Sequence, residues 1–268
     1  MVMEVNGYKF GPGADLSGAK LENLDLSSAN LERADLSDAT LCRTNLHLAK
    51  LDGANLEGAN LTGAKLYHAK MRGVNLFLAK LTGAYMPGAN LSYANLACAD
   101  LRGVNLNGAI LERAELRGAN LLVAKLGGAE LLDADLTSAS LSGAYLERAN
   151  LERANLCMAK LERANLANAN LAKANLTDAN LNRTNLTGAN LTDANLNRTD
   201  LTGADLTGAS LSNANLTGAN LCRANLKGAE LHRVNHLGQE IWNANLTGAN
   251  LTGAILTHAI MPDGSKHG

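Results

Sequence analysis

The side chains that make zinc sites or serve as catalytic bases and thiol nucleophiles are few in this chain: six histidines and four cysteines in 268 residues. Thiolates and imidazoles make a zinc site when four of them converge, and a serine or cysteine becomes a nucleophile beside a histidine base. Cys42, Cys98, Cys157 and Cys222 form no CxxC pair, and neither an HExxH motif nor a phosphate-cradling glycine loop occurs. His47 and His68 come close in the repeat frame described below, yet two histidines without a third ligand make a poor metal site. These residues lead us to expect no catalytic residues, no metal and no cofactor, with the cysteines as free thiols of a reducing compartment.

Charge narrows the classes further. Lys and Arg total 24 against 25 Asp and Glu, a net charge of −1, so no long-range field of either sign draws in nucleic acid directly. The opening MVMEVNGYKFGPG lacks a basic start followed by an apolar run, and no later stretch holds 18 consecutive apolar residues. A cytoplasmic protein with no membrane partner is expected.

The element that must position any site is a five-residue repeat. From Leu16 to Met261 the chain runs through 50 pentads without losing register, and the central slot is Leu in 45 of them; Met71, Met86, His236, Ile241 and Met261 are the exceptions. Two residues earlier lies a small slot that is Ala in 42 of the 50, with Leu24, Thr44, Val74, Val104, Thr184, Thr199, Val234 and Gln239 departing. A polar residue, most often Asn, stands between them. Small, polar, large is a two-residue alternation, which in extended backbone sends the outer pair to one face and the middle residue to the other. A helix would smear a period of five around its circumference.

The last two slots of each pentad hold turn residues. Twenty of the chain's 26 glycines fall in the last slot, as expected for the positive φ at the third residue of a type II turn, and Pro87-Gly88 is the preferred pair for it. Arginine in the same slot, as at Arg33, Arg163 and Arg183, leads us to expect that other corners use a turn of type I kind.

This A(D/N)LXX pattern resembles the pentapeptide-repeat family, and the resemblance covers nearly the whole chain. It implies an all-β fold: a right-handed quadrilateral parallel β-helix with four pentads per coil, about 12 coils here. Coils ~4.8 Å apart would then stack to roughly 60 Å. Residues twenty apart would lie in one column, as Leu176, Leu196 and Leu216 do. In domain terms, residues 1–13 form a short lead-in or partial cap, 14–261 a single repeat helix, and 262–268 a C-terminal tail. Tyr8 and Phe10 are expected across the first coil. Open sheet edges at the two ends leave end-to-end self-association as an expectation. The segment VNHLGQEIW breaks the slots at 234–242 while the five-residue register persists on both sides, which reads as a local bulge.

Apolar residues in outward slots are the informative ones. Phe77, Leu78, Tyr93, Ile110 and Leu132 fall on two adjacent faces within about three coils and are expected to form one patch for a protein partner; Leu122 and Val123 lie on a further face. From Gly58 to Ala99 there is no Asp or Glu, while Lys65, Lys70, Arg72 and Lys80 are present. That fits a partner with an acidic, partly apolar surface. Arg163, Arg183 and Arg223 share a column, and with Glu152 and Glu162 close by they are expected to be ion-paired. The expected function is a non-enzymatic protein-protein interaction scaffold, in keeping with a resemblance to cyanobacterial members. The alternative implied by another branch is a DNA-mimicking gyrase inhibitor or protector of the quinolone-resistance type, which calls for a strongly negative rod.

Overall fold

Asp15 pairs with Asp35, Lys20 with Thr40 and Asp25 with Asn45 in parallel bridges, and this interval of twenty residues recurs from coil to coil. In the computed structural model, which describes residues 3–5, 7–229 and 254–268, the chain forms two compact units, Met1–Asp135 and Leu136–Gly268. Each is a parallel β-helix in which four pentads complete one coil. Among the described residues only β1 (Met3–Val5) and β2 (Tyr8–Phe10) are strands of any length. Elsewhere each side of a coil is so short that it makes a single bridge, at its polar middle slot.

The backbone bonds explain why the period is kept so strictly. The central and last-slot residues donate to the coil that follows, as Leu36 N does to Asn55 O at 2.7 Å and Asp38 N to Glu57 O at 2.9 Å; the middle residue donates back, as Asn55 N does to Ala34 O at 2.9 Å. A further bond closes each corner, Ala39 N to Leu36 O at 3.1 Å. An inserted residue would break all of these at once, leaving buried amides unpaired.

One expectation about the corners is corrected. Arg33, Arg113 and Arg163 sit at φ 57°, 54° and 58°, in the same left-handed region as Gly53 at 66°. From Gly18 to Gly228 stacking imposes one corner geometry on each pentad, so side chains that ordinarily avoid positive φ are carried into it at about 1–2 kcal/mol each.

The interior is filled. Every described leucine slot from Leu16 to Leu226 is at most 2 % exposed, and Met71 and Met86 are as deeply buried. Three of the threonines found in alanine slots are buried too, and each hydroxyl donates to a leucine carbonyl one coil earlier: Thr44 to Leu21 at 2.6 Å, Thr184 to Leu161 at 2.8 Å and Thr199 to Leu176 at 2.9 Å. Among the described residues no buried side-chain polar atom lacks a partner.

The preference for Asn in the middle slot has an equally local cause. Asn75 Oδ1 accepts the Phe77 amide at 3.2 Å, pinning the corner, while Asn75 Nδ2 donates to Asn55 Oδ1 at 3.0 Å in the preceding coil. Asp35, Asn55, Asn75 and Asn95 thereby form one ladder, each amide donating back to its predecessor. Aspartate can only accept, so Asp35 stands at the ladder's start.

At the N-terminal end β1 pairs antiparallel with β2, Phe10 is buried, and the Lys20 amide donates to the Tyr8 hydroxyl at 3.3 Å. Tyr8 and Phe10 thus meet the first coil as expected. The cover is partial: Ala19 is buried beside the half-buried Leu24 and Ala29 of the same coil. Leu24 occupies an alanine slot where no earlier coil limits its volume.

The other end departs from twenty-residue stacking. Asn220 pairs with Ile255 and Asn225 with Ile260, an interval of thirty-five. Leu221 N accordingly donates to Ile255 O at 2.7 Å and Gly228 N to Pro262 O at 2.9 Å. Both intervals are multiples of five, so small and large slots still face inward. The expected bulge at 234–242 lies outside the described residues. The tail from Pro262 is folded rather than free: Met261 N donates to Ser265 O, His267 N donates to Ala259 O, and Ile260 pairs antiparallel with Lys266.

Candidate functional site

With the interior occupied, chemistry is left to the outward slots, and the first unit carries the distinctive ones. Of the five residues expected to form a patch, Leu78 and Tyr93 are exposed, whereas Phe77, Ile110 and Leu132 are half-buried. Tyr93, Ile110 and Leu132 follow one another over three successive coils on one side and its corner. Phe77 and Leu78 lie at the next corner, where Gly58 N donates to Phe77 O and Leu78 N to Ala97 O. Among the described residues no side-chain hydrogen bond or ring contact joins the two groups.

Tyr93 is also less free than its slot implies. The Arg72 guanidinium lies 4.5 Å from its ring centroid and that of Arg113 5.8 Å, and Arg113 Nη1 reaches the phenol oxygen at 3.4 Å. Arg113 Nε in turn stands 3.6 Å from Asp133 Oδ2. Tyr93 is therefore a cation–π-clamped member of an ordered corner column, with its remaining surface open to solvent.

A second cluster, at the corner next to that of Tyr93, was not assembled by sequence reasoning beyond the proximity of two histidines. His47 stacks on Tyr67 at 3.6 Å between centroids with its Nδ1 3.0 Å from Tyr67 O. The Tyr67 ring meets Tyr85 edge-on at 5.9 Å and His68 at 6.3 Å. His68 leans over the Gly88 corner, where a Cβ would lie 2.5 Å from its Nδ1. Both histidines thus meet Tyr67, His47 on its face and His68 at its edge, and among the described residues no three metal-ligating side chains come together. The signal was present in the sequence as a twenty-residue spacing of His47 and Tyr67, both in outward slots.

Around this aromatic corner stand Leu48 and Tyr85, 48 % and 47 % exposed, and the exposed Lys50, Lys65 and Lys70. Lys50 and Lys70 are bridge partners in adjacent coils; Lys65 bridges Asn45 on one side and Tyr85 on the other. Asp52, at the neighbouring corner, accepts the Arg72 amide at 2.8 Å.

Elsewhere some charged groups pair with one another. Two hydrogen bonds from Arg102 hold the Asp100 carboxyl below the ordinary range, and Arg198 does the same to Asp178. The expected ion pairing of Arg163, Arg183 and Arg223 is not found among the described residues. Glu162 instead accepts from Ser142 Oγ at 2.6 Å and Asn180 Nδ2 at 2.7 Å, and the Arg183 stem lies against the Gly203 corner. A neutral donor one coil away reaches the carboxylate with less loss of side-chain freedom than an arginine. All four cysteines are free thiols, and no described helix is long and apolar enough to cross a membrane.

Comparison with known proteins accords with this repeat geometry. A family model described as pentapeptide repeats (8 copies) matches a series of segments, 13–47, 49–76, 79–108, 94–131, 114–153, 149–188, 169–208, 204–235 and 241–263. No curated protein matches the sequence. Among solved structures, the chain is 35 % identical to HetL, a pentapeptide repeat protein involved in heterocyst differentiation regulation from the cyanobacterium Nostoc sp. strain PCC 7120, over 97 % of this chain and 94 % of that one, with a TM-score of 0.29. It is 46 % identical to Rfr23 from the cyanobacterium Cyanothece 51142, over 32 % of this chain and 58 % of that one, with a TM-score of 0.32. Identity to QnrB1, a plasmid-mediated fluoroquinolone resistance protein, is 20 % over 71 % of this chain and 88 % of that one, with a TM-score of 0.46.

Proposed function

The chain belongs to the pentapeptide-repeat family, whose fold is a right-handed β-helix, and from that premise we propose that it is a non-enzymatic protein-protein interaction scaffold of the cytoplasm. Four corners in every twenty residues support the quadrilateral cross-section. One observation carries the functional reading: the leucine slots from Leu16 to Leu226 are at most 2 % exposed, so among these described residues no cleft enters the coil and the outward columns are the surface on offer. That surface is held by coil-to-coil hydrogen bonds and has little conformational entropy to lose when a partner docks. The open first coil, with Leu24 and Ala29 half-buried, supports self-association through that end as a secondary mode.

Affinity capture from the native host tests the reading, comparing the wild-type chain with Leu78→Ser/Tyr93→Ser. Enrichment of a defined protein that the double variant loses, followed by its direct titration in purified form, is the expected result. Identical recovery by both chains would remove the 77–132 patch as the contact area, and recovery of nothing by either would count against the scaffold.

DNA mimicry directed at gyrase is the alternative within the same family. Lys50 and Lys70 on one side of the first unit and Lys65 on the next, with no acid between Gly58 and Ala99, oppose it. Supercoiling by gyrase is expected to proceed unchanged with the protein in micromolar excess.

A further inference from the structure

We propose that the corner centred on Tyr67 is a docking site for an acidic protein segment, one that brings two or more carboxylates beside an apolar side chain. The proposal rests on the scaffold reading and names the partner's chemistry; it centres the contact one corner away from Tyr93 and two from Leu78.

Charge carries the argument. Lys50 and Lys70 are directly opposed in adjacent coils, so their ammonium groups share one side at a spacing near 4.8 Å between backbones. Like charges directly opposed are destabilising in a sheet; the opposed acids Asp15/Asp35 and Glu115/Asp135 have compensating partners beside them, Ser17 on Asp15, the Ser37 amide on Asp35 and Arg117 3.5 Å from Asp135. Here neither lysine enters an ion pair among the described residues. Lys65 adds a third positive charge across the corner. Through the three coils containing 45–50, 65–70 and 85–90 there is no carboxylate on these two sides or the corner between them. A chain of net charge −1 has concentrated unneutralised cations on one small area, and a carboxylate pair from outside would relieve the repulsion.

The apolar component comes from the same corner. Leu48 and Tyr85 are about half exposed, and the Tyr67 ring, backed by His47 and met edge-on by Tyr85, forms a rigid floor between them. A leucine or aromatic side chain set between two acids fits this pattern. Single-stranded nucleic acid fits it less well. One face of Tyr67 is already occupied by His47, and a polynucleotide backbone needs a basic groove that continues along the strand. This area instead ends at Asp25 and Asn45 on one edge and at Asn105 on the other.

The test uses the full chain and an array of fluorescein-labelled synthetic peptides in which glutamate alternates with leucine or tyrosine at varied spacing. Matched glutamine-for-glutamate peptides and an oligothymidylate of equal charge serve as the other probes. At least one acidic peptide is expected to bind, salt to weaken it, and Lys50→Glu/Lys70→Glu to weaken it about tenfold or more. Lys173→Glu/Lys227→Glu, with the same change in net charge, is expected to leave affinity within about twofold, and Tyr85→Ala to weaken it without altering the salt dependence. Binding by no acidic peptide, an equal loss in the Lys173/Lys227 control, or tighter binding of the oligonucleotide would overturn the proposal. Host-protein capture that depends on Leu78 and Tyr93 would survive any of these results, so the site can fail while the scaffold stands.

Discussion

The Thr184 hydroxyl donates to the Leu161 carbonyl at 2.8 Å from inside the dry stack, where an alanine would ordinarily sit. That carbonyl also accepts the corner bond from Ala164 N at 2.9 Å, so the threonine adds a second donor to an acceptor already paired. Thr184→Val keeps the volume and removes the donor. It is expected to lower stability by about 1 kcal/mol, seen as a lower urea midpoint at unchanged slope.

Leu176 lies at 0 % exposure within the second unit. Leu176→Ala is expected to cost about 2–5 kcal/mol. Leu176→Asp, which buries a charge with no partner, is expected to abolish the cooperative thermal transition followed by circular dichroism. An unchanged midpoint in the aspartate variant would refute the inward assignment.

Corner strain should be measurable in both directions. Val123 is a β-branched residue at φ 50° and half exposed; Val123→Gly relieves strain and is expected to raise stability by about 1 kcal/mol or less, since added unfolded-state entropy offsets part of the gain. Gly208 sits at φ +65° with open space within 4 Å of where a Cβ would stand, so Gly208→Val tests conformation without collision and is expected to cost about 1–2 kcal/mol. Equal urea midpoints for both variants and the wild type would show that the corners are not strained.

Asp35 accepts hydrogen bonds from the Ser37 hydroxyl and amide and from Asn55 Nδ2, which hold its carboxyl below the ordinary aspartate range. Asp25 is held down in the same way, first by the Ser27 hydroxyl. Because the folded value is depressed, the stabilisation is present above the unfolded value of about 3.9 and lost as pH falls through the folded one. Ser37→Ala is expected to move the Asp35 carboxyl resonance titration upward in NMR, with the Asp25 titration unchanged.

Asn75→Asp would set a carboxylate against Asn55 Oδ1 and Glu57 Oε2, both of which now receive Asn75 Nδ2. Lower stability at neutral pH, partly recovered on acidification, is the expected outcome of a pH series of melts.

Particular residues show how far the sequence reaches. The inward direction of Leu176 and the placement of Tyr8 and Phe10 over the first coil follow from slot type and chain position, since each depends on contacts within one or two coils. The left-handed conformation of Arg113 was not legible, because arginine's own preference points elsewhere and only the stacked bonds of adjacent coils impose that φ. Ion pairs for Arg163 and Arg183 failed as an expectation for a related reason. Column membership says which residues are near, and the competition between Ser142, Asn180 and arginine for Glu162 is settled by side-chain reach.

The repeat by itself determined the inward and outward faces and the corner positions, because a strict period makes each local choice recur from coil to coil. Tertiary structure decided which outward residues meet: it separated Leu78 from Tyr93, clamped Tyr93 between two arginines, and brought His47, Tyr67 and Tyr85 to one corner beside Lys50 and Lys70. It also decided that Asn220 takes Ile255 as its neighbour. A period of five makes every fifth residue an equivalent partner, and only the closed coil, through its hydrogen bonds, selects one of them.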